Sequence, residues 1–200
     1  MSFGAQQAHS FLGPLKGKTA TFLVESRQAN LSFARSIVSL VAMTKSGCTI
    51  LDIDAFYSSY SNEILSALPP NAARLTRVYV LEPGSSVETE LPKLFMAESG
   101  VFIVDSLNTL CHLFSSSGVS SRSRKLAFAV ASFSYLAKTS RKAVLFTMYR
   151  REKTMRTGGG RSISDLSDTT VSVEATGSEL LMKCERGTAW PEGRFSLNIT

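Results

Sequence analysis

The sequence predicts an α/β domain: a mostly parallel sheet flanked by helices, with antiparallel strands added at its C-terminal edge. Two observations carry this. Up to residue 149, short apolar runs alternate with stretches of helical period, the pattern of successive βαβ units whose strands are buried on both faces. From residue 169 onward the period changes to two, as expected of strands with one face in the core and one in water.

The elements follow in order. Residues 20–25 (ATFLVE) form the first strand, and residues 32–44 the first helix, with Phe33, Ile37, Leu40 and Val41 at helical spacing. After the Lys45-Ser46-Gly47 turn, residues 48–54 return as a second strand. Residues 63–68 make a short helix stopped by Pro69-Pro70, residues 77–81 a third strand, and residues 87–99 a helix despite Pro92. Residues 101–105 (VFIVD) are the fourth strand, 124–138 a long amphipathic helix and 143–149 a fifth strand. The tail reads as strands over 169–175, 179–185 and 194–199, the first two joined by Thr176-Gly177-Ser178. Trp190 falls in the turn before the last strand, where its ring is expected to plug the core, the competing reading being an exposed anchor for a partner.

Composition bounds the function. With 200 residues, 44% hydrophobic and 19% charged, the chain fits one domain spanning 1–200. Within it, residues 1–18 read as an N-terminal extension and turn, and 150–165 as a basic, Gly-rich loop. No apolar run approaches the roughly 20 residues of a membrane span, and the N-terminus has no basic-then-apolar leader, so a soluble cytoplasmic protein is expected. Cys48, Cys111 and Cys184 lack CxxC spacing, and His9 and His112 sit in no metal-ligand or Ser-His-Asp pattern. No metal and no cofactor is therefore expected.

The formal charge of +6 favours a polyanionic partner, and two segments concentrate it. A Ser/Gly loop over 115–125 turns basic at Arg122, Arg124 and Lys125. Residues 149–161 carry Arg150, Arg151, Lys153, Arg156 and Arg161 against the single acid Glu152, and include Gly158-Gly159-Gly160. Loops leaving the carboxyl ends of parallel strands share one rim, so both are expected to line one edge and to track a phosphate backbone without reading bases. The competing reading is that both are ordinary solvated loops.

The strand 101–105 ends in Asp105-Ser106, the pattern that supplies a magnesium-linked aspartate in nucleotide hydrolases. The loop after the first strand does not match it. A phosphate loop needs Gly, four residues, Gly, Lys and Ser/Thr, because backbone N–H groups wrap the phosphates and the lysine reaches the terminal ones. Here Glu25 and Asn30 stand at the glycine positions, Leu31 at the lysine position, and only Ser32 survives. Gly13-Pro14-Leu15-Lys16-Gly17-Lys18-Thr19 imitates the motif, but it has three residues between its glycines and precedes a strand instead of joining a strand to a helix. It reads as a turn.

The order of these pieces resembles a RecA-superfamily core of the RadA and KaiC type. Residues 20–32 resemble its first strand and phosphate loop, Ile50-Leu51-Asp52-Ile53-Asp54 its next strand, residues 101–107 its Asp-Ser strand, and residues 143–149 the strand that ends in Thr-Asn-Gln in RadA-like proteins. Segments 158–160, 167–170, 180–186 and 195–199 resemble its C-terminal strands. The resemblance places Phe56 where the catalytic glutamate belongs and Tyr149 where the sensor glutamine belongs. Without lysine, glutamate and glutamine, charge on a transferring phosphoryl group goes unstabilised and water unpositioned, so hydrolysis is expected to be absent or vestigial, with weak residual nucleotide binding left open. The degenerate site then comprises Glu25, Asn30, Leu31, Ser32, Asp54, Asp105 and Ser106.

The resemblance implies an inactive RadA-like recombinase paralogue, an accessory or scaffold in homologous recombination and DNA repair. It would pair with a recombinase or another paralogue, contact single-stranded DNA or RNA, and form homo- or hetero-oligomers. The alternatives are a scaffold not acting on DNA, as in the tRNA-binding Elongator subcomplex, and a nucleotide-binding regulator of the KaiC type.

Overall fold

The computed structural model describes residues 3–66, 68, 73–81, 90, 94, 96–114, 119–150, 163–190 and 193–198. Eight strands form one sheet: β1 (Thr19–Val24), β2 (Cys48–Asp52), β3 (Thr76–Val80), β4 (Val101–Asp105), β5 (Ala143–Tyr149), β6 (Thr169–Thr176), β7 (Glu179–Arg186) and β8 (Arg194–Asn198). Their order across it is β3-β2-β4-β5-β1-β6-β7-β8. Strands β1 to β6 are mutually parallel, so their carboxyl ends share a rim, and β7 and β8 continue antiparallel. The α-helices among the described residues are α1 (Phe3–Leu12), α2 (Arg27–Thr44), α3 (Phe56–Ser59), α4 (Ser61–Leu65), α5 (Leu107–Leu113) and α6 (Val119–Ser140).

Alternation along the central strands divides the core. Phe22, Ile50, Ile103 and Leu145 face a layer with Phe11, Phe33 and Ile37 of α1 and α2, and Phe22 meets Phe33 at 4.8 Å between ring centroids. Leu23, Leu51, Phe102 and Phe146 face the opposite layer, where α5 and α6 contribute Leu110, Leu126 and Phe133. Each fully buried Leu, Ile or Phe contributes roughly 1.5–3 kcal/mol of transfer free energy, so both layers hold the sheet. Among the described residues no helix is long and apolar enough to cross a membrane.

Several boundaries depart from the sequence reading, each for a local reason. The first 18 residues are more than an extension: α1 buries Ala8, Phe11 and Leu12, a helical-spacing face that covers α2. Helix α2 begins at Arg27 instead of residue 32, because Ser26 is extended and its hydroxyl accepts from Ala29 N, the geometry of a helix N-cap. The expected loop 115–125 is helical from Val119. Strand β6 pairs parallel with β1 and antiparallel with β7, so it sits inside the sheet; Thr169 to Val173 are all buried and its period of two is lost. The helix expected over 87–99 lies largely outside the described residues. Trp190 plugs the core as expected, stacked 5.5 Å from Phe11 and donating from Nε1 to Phe11 O at 3.3 Å.

Candidate functional site

At the carboxyl rim, β1, β2, β4 and β5 bring polar side chains together beneath the start of α2. Asp105 ends β4 and is almost fully buried. Its Oδ1 accepts a short hydrogen bond from the Thr147 hydroxyl on β5, while its Oδ2 has no partner among the described residues. Burial pushes its carboxyl up to about 7, an effect strengthened by the neighbouring Asp54 and Asp52 and opposed by the hydrogen bonds of Thr147 and Asn30. Tyr149 and Tyr57 are raised as well, chiefly by burial and then by the Asp105 charge.

The remaining acids of the rim are occupied. Ser106 donates from Oγ to Asp54 Oδ2 at 2.7 Å and caps α5 by accepting from Thr109 N. Asp52, which sequence reasoning left without a role of its own, accepts from Tyr57 N at 3.2 Å and from Ser58 N and Oγ at 2.8 and 2.6 Å, fixing the start of α3. Phe56 and Tyr57 of that helix are buried. Asp52 and Thr147 were legible as polar residues inside otherwise apolar strands, a pattern that in a buried strand demands a hydrogen-bond partner.

The residues expected in the phosphate loop lie elsewhere. Only Glu25 and Ser26 separate β1 from α2, and the Ser26 hydroxyl closes the helix N-terminus. Asn30, Leu31 and Ser32 are helical residues, Asn30 and Ser32 buried and Leu31 packed against the core. The Asn30 side chain reaches Asp105 and Tyr149, and its Oδ1 has no partner among the described residues. The connection contains no glycine, the residue on which a phosphate-loop nest is built. Burial raises the Asp105 carboxyl to about 7, and among the described residues no group of three or more His, Cys, Asp and Glu is placed to hold a metal.

The described basic residues of these segments fall into two environments. Arg150 meets Glu25 at 2.7 Å, Glu174 at 3.3 Å and Glu185 at 3.6 Å, so its charge is matched within the chain. Arg124 and Lys125 are exposed on α6, with Lys125 Nζ 5.9 Å from the centre of the Phe114 ring. The side chain of Arg122, and the whole of Arg151, Lys153, Arg156 and Arg161, lie outside the described residues. In the first basic segment, residues 119–125 belong to α6 and are not a loop.

The sheet order, the parallel core and the antiparallel extension define a RecA-like α/β fold. The crystal structure of the RadB recombinase superposes with a TM-score of 0.67 at 13% identity, covering 98% of this chain and 94% of that one. No family model matches the sequence, and no curated protein matches it.

Proposed function

We propose that the protein is a catalytically inactive RecA-fold paralogue that works by binding, as an accessory or scaffold for a RadA-type recombinase or another paralogue in homologous recombination and DNA repair, with single-stranded DNA as a further ligand. The observation that carries this reading is the two-residue connection from β1 to α2. The Ser26 hydroxyl takes the Ala29 N–H at the helix end where phosphate would bind, and the Asn30 side chain reaches Asp105. Leu31, Phe56 and Tyr149 supply none of the charge or water positioning that phosphoryl transfer requires. A chain that keeps the sheet and both flanking layers while its rim is filled by its own side chains retains surfaces for assembly. Strands β3 and β8 stand at the two ends of the sheet, and β3 is largely exposed.

Sedimentation at micromolar concentration, alone and with a RadA-type recombinase from the same cell, tests the reading. A complex burying at least about 1,000 Å² is expected. A strict monomer in both samples would remove it.

A further inference from the structure

Helix α6 is apolar on two sides. Its inner face, with Leu126, Ala129, Val130, Phe133, Leu136 and Ala137, packs on the sheet and completes the core. Its outer face also carries aromatic residues: Phe128 is 67% exposed and Tyr135 72% exposed. With exposed Ala131 between them they recur at i, i+3 and i+7, the spacing of a helix-packing seam, with the small residue leaving a gap between the two rings. The neighbouring hydroxyls are turned inward. Ser132 Oγ donates to Phe128 O at 2.9 Å and Thr139 Oγ1 to Tyr135 O at 2.8 Å, so neither offers its proton outward. A surface helix of an α/β domain ordinarily presents polar residues here.

The charge around the seam selects its occupant. Residues 119–142 contain Arg122, Arg124, Lys125, Lys138, Arg141 and Lys142 and no Asp or Glu, which places basic residues beyond both ends of the apolar stretch. A second copy of the chain fits poorly, since packing α6 on α6 in either direction sets basic ends against basic ends. Stacked nucleic-acid bases fit poorly too: the rings lie about 10 Å apart along the axis, roughly three times the ~3.4 Å step between stacked bases.

We propose that the outer face of α6 docks an amphipathic helix of an acidic partner protein, with an apolar side chain seated over Ala131 between Phe128 and Tyr135 and carboxylates directed to Arg124 and Lys138. The recognition is of the helix-in-groove kind, with aromatic anchors supplying most of the affinity and the flanking charges choosing the partner. It names a surface for the scaffold reading but does not depend on the partner being a recombinase.

The test is fluorescence anisotropy of the full chain with two labelled synthetic helices sharing a leucine seam at i, i+3 and i+7, one flanked by glutamates and its twin by lysines. The acidic helix is expected to bind at least about tenfold more tightly than the twin. The Phe128→Ser/Tyr135→Ser double variant should lose at least about tenfold, and Lys138→Glu should narrow the preference. Because both rings are exposed, the double variant should melt close to the wild type, and its circular dichroism controls for folding. Absence of binding, equal binding to wild type and double variant, or indifference to flank charge overturns the proposal. Oligo(dT) binding that disappears in the double variant would assign the face to nucleic acid, and a dimer that dissociates in that variant would assign it to a second copy; either also overturns it. Recombinase complex formation that survives the double variant would leave the scaffold reading standing while this docking site fails.

Discussion

Asp105→Asn should stabilise the protein, by an amount that grows with pH. Burial lifts the Asp105 carboxyl from 3.8 to about 7. Below pH 3.8 the group is protonated in folded and unfolded chains alike, and its stabilising contribution is fully present. As pH rises toward about 7 the folded chain retains a proton that the unfolded chain has released, so stability falls through that window; above it, folding must bury an anion. A shift of about three pH units corresponds to about 4 kcal/mol lost between the acid limit and pH 8. Asparagine keeps the acceptor for Thr147, carries no charge, and brings an NH₂ group to a place where Asp105 Oδ2 and Asn30 Oδ1 now lack partners. Urea melts of wild type and Asp105→Asn at pH 5 and pH 8 should therefore diverge with pH, the variant gaining on the order of several kcal/mol at pH 8 and much less at pH 5. A variant less stable than wild type at pH 8, or a difference independent of pH, would refute the placement of Asp105 as a buried structural acid.

Two further outcomes follow from the same geometry. Ser26→Ala removes the cap of α2 and should cost about 1 kcal/mol in a thermal or denaturant melt, whereas Ser26→Gly should cost only a few tenths. If residues 151–161 track a phosphate backbone, replacing Arg151, Lys153, Arg156 and Arg161 by Ala should weaken single-stranded DNA binding and flatten its dependence on salt, and Arg150→Ala should change that slope far less because three carboxylates already match its charge. An unchanged slope in the multiple variant would exclude the segment as the binding surface.

Strands were more legible than their ends, and the site less legible than either. β4 and β5 fell on their observed bounds because a continuous apolar run between a turn and a polar residue admits little else. The start of α2 was misplaced because residues 25–32 were aligned on a phosphate-loop template, which hid the plainer signal of an N-capping serine before a helix-compatible run. The parallel pairing of β6 was hidden because it depends on β1, a strand some 150 residues earlier in the chain, and Thr-rich sequence reads as half-exposed wherever it lies. At the rim, Asp105 and Ser106 were visible from strand pattern alone. The contacts of Asn30 and Thr147 with that aspartate were not, since they join residues from α2 and β5 that only the tertiary fold brings together.

The central claim, a RecA-like fold that acts without phosphoryl chemistry, is tested most directly by steady-state ATP turnover with and without magnesium, in wild type and in Asp105→Ala. The account predicts no magnesium-dependent turnover above background in either protein, because on the proposed reading Leu31, Phe56 and Tyr149 stand in place of lysine, glutamate and glutamine, and Ser26 caps the helix that would hold phosphate. Magnesium-dependent turnover in the wild type that Asp105→Ala abolishes would contradict it.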